Sequence, residues 1–361
     1  MNNKMIDYSK SLKNFIDMSS GDPTTIIAKE HGLMGLTRLI MCMEKLGLNT
    51  DNNYFIALPD YTYTRNALRW NAGFPYGCII CIDQIEPFIP IDFRPNCCGV
   101  VFAEIPEDDF DIVKLKNTYH SLLHSYSDLD STDFNRRNHF FGIYYNEKNY
   151  KYYFLIHGSF MFAKKGLYSE KNQDLVAQKE TMDILGTPFN YLCGKEAKQY
   201  YDNYKHHEEL SNFYRELILK TLFPEAKILF HRTHEGFLDM GTLLLGAYAD
   251  YKLFSCPIML SPEESLPYVN INNPVKLGDS KNLYCAPHGG GYALSSVVDA
   301  QKTEMIGNEF LITYTNNSKM LTNNIIDMPF FYRNDSAEKW CSLYKKGNIT
   351  EILKPLFNMK V

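Results

Sequence analysis

Four residues near the ends of predicted strands could bind a transition metal. His139 begins one predicted strand and His157 ends the next, so both lie near one end of a hairpin. His231 follows a third apolar run, and Cys98 precedes a fourth. A thiolate with three imidazoles is a ligand set suited to zinc, manganese or iron(II). Because these residues are distant in the sequence, each histidine could instead be an ordinary hydrogen-bonded side chain.

Other cysteines and histidines are weaker candidates. Cys78 and Cys81 lie in one strand-like run, where a separation of three places side chains on opposite faces. We therefore expect both to be buried rather than to form a zinc knuckle. His206 and His207 lie among Lys and Glu in a predicted helix, which is typical of a solvated face. His234 could contribute only from a loop, so it is left out of the ligand set.

The glycine-rich segment after His288 contains the candidate nucleophile. Gly289, Gly290 and Gly291 follow this histidine directly and let the backbone turn tightly and approach a ligand. Backbone N–H groups in such a loop can form an anion-binding concavity suited to phosphate. A histidine at the edge of this concavity could attack a phosphorus atom and form a phosphoramidate. The alternative is a plain glycine-rich turn.

The periodicity of apolar residues predicts a mixed architecture. Helices are predicted over residues 25–46, 111–126, 194–222, 337–345 and 349–356. Strands are predicted over residues 79–82, 100–102, 139–145 and 152–157, and near Ile228, Leu243, Pro257, Tyr268, Leu283 and Leu311. Because the two element types do not alternate regularly, the class is α+β rather than a doubly wound sheet or a barrel. We expect one domain over residues 1–361, with a helical lead-in at 1–50 and a core at 51–361.

Composition and charge favour an ordinary globular protein. Apolar residues make up 45% of the 361 and charged residues 22%. No apolar run is long enough to span a membrane, and the first residues lack the apolar core of a secretion signal, so we expect a cytoplasmic protein without a membrane partner. The nine cysteines are then expected to be reduced. A net charge of −5 argues against a protein that binds nucleic acid nonspecifically, but it allows an enzyme that binds RNA ends locally.

Several segments resemble motifs of the RtcB family of RNA-splicing ligases, in the same order. The segment 288–292 resembles His-Gly-Ala-Gly-Arg, 138–140 resembles Asn-His-Phe, and 156–159 resembles Ile-His-Ser-Gly-Ser. Further similarities are those of 58–60 to Met-Pro-Asp, 73–77 to Gly-Phe-Pro-Ile-Gly, 96–100 to Asp-x-x-Cys-Gly-Val, the helix 199–215 to one ending in Asn-Arg, and 353–360 to Pro-Leu…Lys. The resemblance extends over residues 58–360.

The resemblance implies a fold, cofactors and substrates. The fold would be RtcB-like, with mixed sheets flanked by helices around a central metal site. One or two Mn²⁺ ions would be held by Cys98, His139, His157 and His231. His288 would take GMP from GTP and pass it to an RNA 3′-phosphate (or 2′,3′-cyclic phosphate), which a 5′-hydroxyl end would then attack. The nucleotide would be held by Asn138, Gly289, Gly290, Gly291 and Lys360. We expect the protein to act as a monomer.

The chain also departs from the family pattern at charged positions. Pro95 replaces the metal-binding Asp, although Asp92 lies three residues upstream, and Gly142 replaces a carboxylate. Phe160 and Tyr292 replace arginines, and residues 243–245 replace His-Arg-Lys. Two alternatives therefore stand beside the ligase. One is a catalytically weakened protein that binds nucleotide or RNA ends, and the other is a metal-dependent phosphoesterase with water as nucleophile.

Overall fold

The structure is a computed structural model. It describes residues 8–64, 66–106, 111–126, 139–160, 167, 176–260, 264–278, 281–290, 292–294, 300–306, 309–314, 319–322, 330–332 and 346–359.

Five α-helices lie in the described part of the chain. They are α1 (Ser9–Asn14), α2 (Pro23–Lys45), α3 (Ala67–Ala72), α4 (Ile112–Ser125) and α5 (Gly194–Leu222), with a short 3₁₀ helix at Ile91–Phe93. Asp22 and Asp111 cap α2 and α4 by accepting hydrogen bonds from backbone N–H groups of the first turn. The helices predicted over 25–46, 111–126 and 194–222 are thus confirmed. No described helix is both long and apolar enough to cross a membrane.

Strands dominate the described residues. In chain order they are β1 (Phe15–Asp17), β2 (Tyr54–Thr62), β3 (Tyr76–Cys81), β4 (Phe88–Pro90), β5 (Gly99–Ile105), β6 (Phe140–Asn146), β7 (Lys151–Gly158), β8 (Glu180–Ile184), β9 (Thr187–Cys193), β10 (Lys227–Thr233), β11 (Glu235–Asp239), β12 (Thr242–Leu245), β13 (Ala247–Asp250), β14 (Phe254–Pro257), β15 (Leu266–Ile271), β16 (Val275–Leu277), β17 (Lys281–Pro287), β18 (Tyr292–Leu294), β19 (Ala300–Ile306), β20 (Glu309–Tyr314), β21 (Lys319–Thr322), β22 (Phe330–Tyr332) and β23 (Gly347–Met359). Mixed helices and mostly antiparallel sheets confirm the α+β class.

The largest sheet has the strand order β10-β5-β7-β6-β23-β15-β14 and two buried faces. Its front face packs in a core that includes Val100, Phe102 and Phe140. Its back face, with Val101 and Phe141, packs against helices α4 and α5. Side chains alternate between the two faces along a strand. Whether a residue's position in the strand is odd or even therefore decides which of these two cores it enters.

One predicted element is wrong. The helix predicted over residues 349–356 is part of β23, which pairs with β15 on one side and β6 on the other. Ile349, Thr350 and Ile352 are β-branched and favour a strand, and Pro355 cannot occupy a helix interior. The other predicted C-terminal helix, over 337–345, lies outside the described residues.

A second sheet, β1-β2-β3-β12-β11, carries the N-terminal helix α2 on one face. Cys78 and Cys81 in β3 are both buried and enter different cores, as the sequence predicted. The eight cysteines in the described residues are free thiols.

Candidate metal centre

Three side chains converge at one end of the large sheet. Cys98 precedes β5, His157 lies near the end of β7, and His234 follows β10. These strands are neighbours in the order β10-β5-β7, so the three residues reach the same edge. Their ligand atoms all lie within 4.8 Å of one another, and the side chains are at most 2% exposed. This group could hold a metal ion.

The separations between the donor atoms are short. His157 Nε2 lies 3.4 Å from Cys98 Sγ and 3.3 Å from His234 Nε2. His157 therefore occupies the centre of the group. Buried imidazoles this close to one another favour their neutral forms, because each charge would repel the next. Burial is the largest cause that lowers the pKa of His234 well below its usual value, and the neighbouring His288 and His157 add to this effect.

His234 lies in this group and His231 does not, whereas the ligand set predicted from the sequence contains His231. His231 pairs with Val101 in the β10–β5 ladder, so its side chain lies on the back face with Val101. An odd separation in a strand changes the face, so His234, three residues later, returns to the front. Burial lowers the pKa of His231 to about 3, and the cation of Arg215 adds to this effect.

Two further histidines of the predicted site extend the cluster. His139 Nε2 lies 3.3 Å from Cys98 Sγ, just before β6 begins. His288 Nε2 lies 3.4 Å from His157 Nε2, and its ring centroid is 4.5 Å from that of His234. The structure therefore brings the candidate nucleophile directly against the candidate metal ligands.

Backbone hydrogen bonds fix this arrangement. The His234 N–H donates to the Cys98 carbonyl at 2.8 Å, and the Gly246 N–H donates to the His234 carbonyl at 2.9 Å. The His288 N–H in turn donates to the Gly246 carbonyl at 3.2 Å. The chain segments that carry the thiol and two of the imidazoles are thus linked through one continuous set of backbone contacts.

Burial also sets the protonation state of the candidate nucleophile. His288 is 5% exposed, and desolvation lowers its pKa to about 4. The imidazole is therefore neutral near pH 7, which a nucleophilic nitrogen requires.

The glycines after His288 pack tightly against the chain. Gly289 has φ +99°, and a Cβ there would lie 2.0 Å from the Met259 carbonyl oxygen. The Gly289 N–H donates to Asp60 Oδ2 at 3.0 Å, so a carboxylate is its acceptor in this structure. Gly290, at φ +70°, also lies close to a carbonyl, that of Leu260. Gly291, Asn138 and Lys360 lie outside the described residues.

Gly289→Ala is expected to lower the free energy of unfolding by about 3 kcal/mol, because it combines a left-handed backbone with a backbone clash. Gly186→Ala is the matched control, since Gly186 has φ +75° with nothing within 4 Å. The control should lose only about 1 kcal/mol. Denaturant unfolding measures both. Equal losses would contradict the close packing of Gly289 against Met259.

A buried arginine supports the ligand-bearing segments from the back face. Arg215 of α5 is fully buried, and its Nη1 donates to the carbonyls of Cys97 at 3.2 Å and Gly158 at 2.8 Å. These residues directly adjoin Cys98 and His157. The guanidinium therefore holds both segments in place. The sequence analysis assigned no role to this arginine.

Arg215→Lys should weaken metal binding about 10- to 100-fold, because an ammonium cannot reproduce the planar guanidinium contacts that orient the ligands. Arg232→Lys is the control, since Arg232 lies in β10 but pairs with Asp250 instead. Calorimetric titration with a divalent metal would measure both affinities. Equal affinities for Arg215→Lys and wild type would remove the positioning role.

The nearby carboxylates are engaged elsewhere. Glu235 Oε2 pairs with Arg69 at 2.8 Å, and both side chains are buried. Asp92, which lies three residues upstream of Pro95 in the sequence, accepts a hydrogen bond from Asn190 at 2.7 Å. With Asp60 bound to the Gly289 N–H, each of these carboxylates has a partner outside the cysteine–histidine cluster.

Apolar side chains fill positions where the family pattern has cations. Phe160 is 1% exposed and packs on Tyr214, with ring centroids 5.7 Å apart. Residues 243–245 are buried leucines of β12. Arg232 of β10 donates to the Ala249 carbonyl and pairs with Asp250.

Comparisons with protein-family models and with curated proteins gave no match to this chain. Its function is therefore inferred from the site itself.

Proposed function

We propose that this chain is a metal- and GTP-dependent RNA ligase that joins 3′-phosphate and 5′-hydroxyl ends through a guanylylated His288. The fold would then be a divergent RtcB-like fold. One observation carries the proposal: residues matched to separate family motifs, distant in the sequence, meet in one buried cluster. Cys98, His139, His157 and His288 are linked by contacts of 3.3 to 3.4 Å.

Convergence of this kind is a stronger argument than any one motif. A plain glycine-rich turn would not need a neutral, buried histidine, and a core histidine would not need three other ligand-type side chains beside it. The order of the motifs and the positions of their residues support the same chemistry.

The proposed reaction has three steps. The lone pair of His288 attacks the α-phosphorus of GTP, a P–N bond forms, and pyrophosphate leaves with the electrons of the broken P–O bond. An oxygen of the RNA 3′-phosphate then attacks this phosphorus and releases His288. Finally the 5′-hydroxyl loses its proton to solvent and its oxygen attacks the activated 3′-phosphate, and GMP leaves with the electrons of the broken P–O bond. A divalent ion, Mn²⁺ according to the resemblance, would supply charge neutralisation for the phosphates when bound.

Two observations favour a second candidate, a protein that binds nucleotide or RNA ends without joining them. The Gly289 N–H already donates to Asp60, and Phe160 and the leucines at 243–245 replace cations. Each lost charge-assisted phosphate contact costs on the order of 1.5–3 kcal/mol. This candidate predicts binding with no joining.

An RNA-joining assay tests the proposal. Two short RNAs, one with a 3′-phosphate and one with a 5′-hydroxyl, are incubated with the protein, GTP and a divalent metal. A joined product that requires GTP supports the ligase. RNAs with a 3′-hydroxyl and a 5′-phosphate are the control and should stay unjoined. Binding of the first pair without joining would favour the second candidate, and loss of the 3′-phosphate alone would favour a phosphoesterase.

A further inference from the structure

We propose that Cys98, His157 and His234 form a site for a four-coordinate, zinc-class divalent ion with one position open, rather than a site suited to manganese. This deepens the proposed function by assigning the class of metal, but it uses none of the ligase chemistry. The argument rests on the donor atoms, their separations and the surrounding carboxylates.

The donor set consists of one thiol sulfur and two imidazole nitrogens. Thiolate and imidazole suit zinc, whereas manganese prefers carboxylate, carbonyl and water oxygens. Manganese also lies at the weak end of the affinity order for divalent first-row metals. The chemical identity of the donor atoms, one sulfur and two nitrogens, therefore favours a zinc-class ion.

Two of the three donor separations are close to those expected for tetrahedral coordination. With Zn–N near 2.0–2.1 Å and Zn–S near 2.3 Å, neighbouring donors in a tetrahedron lie roughly 3.3–3.6 Å apart. His157 Nε2 lies 3.3 Å from His234 Nε2 and 3.4 Å from Cys98 Sγ. Three protein ligands leave one position for water or substrate, as catalytic zinc sites do.

No carboxylate in the described part of the chain belongs to this donor group. Asp60 accepts from the Gly289 N–H, Glu235 pairs with Arg69, and Asp92 accepts from Asn190. Recruiting Glu235 would leave the Arg69 guanidinium, which is buried, without its carboxylate partner, and this is costly. The described residues therefore give this donor group no carboxylate oxygen.

Cobalt substitution and metal competition test the proposal on the full chain. Co²⁺ should give the intense visible bands of four-coordination and a thiolate-to-cobalt charge-transfer band. Cys98→Ala should remove the charge-transfer band. Cys97→Ala is the matched control and should keep it, because Cys97 packs in the core between α2 and its sheet. In competition, the wild-type protein should bind Zn²⁺ at least about 1,000-fold more tightly than Mn²⁺.

Weak bands typical of six-coordinate Co²⁺, an unchanged charge-transfer band in Cys98→Ala, or Mn²⁺ affinity within tenfold of that for Zn²⁺ would each overturn the proposal. The competition needs only the wild-type protein, so it decides even if a cysteine variant fails to fold. None of these readouts depends on GTP. A four-coordinate cobalt site with no RNA joining would keep this proposal and reject the ligase, and the reverse result would do the opposite.

Discussion

His234→Ala should lower the affinity for a divalent transition metal by roughly 100-fold or more, since losing a ligand costs more than losing a group that merely orients one. His231→Ala should leave the affinity within about threefold of wild type. The two histidines lie in the same short stretch, but only His234 shares the buried donor group. Calorimetric titration with Zn²⁺ or Co²⁺ measures both variants.

This pair of variants shows which assignment of the metal ligand is right, the one from the structure or the one from the resemblance to family motifs. The resemblance to family motifs assigns His231 as the ligand, whereas the strand register places His231 beside Val101 on the back face. Circular dichroism shows whether each variant is folded. A large loss of affinity in His231→Ala with little change in His234→Ala would contradict the register of β10.

His288→Ala should abolish transfer of GMP to the protein and reduce RNA joining by at least about 1,000-fold, because the acceptor nitrogen is gone. Metal affinity should change far less than in His234→Ala, since His288 lies outside the tightest donor group. His206→Ala is the control, because His206 is exposed on α5. A GMP adduct that persists in His288→Ala would assign the chemistry to another residue.

The sequence predicted the three long helices, α2, α4 and α5, because their signals are local, whereas the short helices α1 and α3 were not predicted. Asp22 and Asp111 are strong N-caps, and the amphipathic patterns of α2, α4 and α5 extend over at least three turns. Strands at 139–145 and 152–157 were predicted for the same reason and form the hairpin β6–β7. The C-terminal strand β23 was wrongly predicted as a helix, although its β-branched residues and Pro355 are local signals against one. Its pairing with β6 and β15, which are distant in the sequence, could not be predicted.

The candidate site was only partly predictable. Cys98, His139, His157 and His288 were identified from residue type and motif order, and the structure brings them together. His231 and His234 differ by an odd number of residues, so the pattern showed that one strand could not present both. Which of them faces the cluster depends on pairing with β5, which no local signal records.

The support from Arg215 could not be predicted either. Its position near the end of a long helix is visible in the sequence, but its reach to the carbonyls of Cys97 and Gly158 depends on how α5 packs on the sheet. A basic residue in a helix is usually solvated, and only complete burial distinguishes this one.

The most direct test of the proposed ligase is to look for GMP bound to His288. Metal-loaded wild-type protein is incubated with GTP labelled at the α-phosphate, once with Zn²⁺ and once with Mn²⁺, and digested for mass spectrometry. We expect an acid-labile, alkali-stable GMP adduct on the peptide that contains His288, with pyrophosphate released in equal amount. A protein that binds its metal and GTP yet forms no adduct with either ion would contradict the proposal.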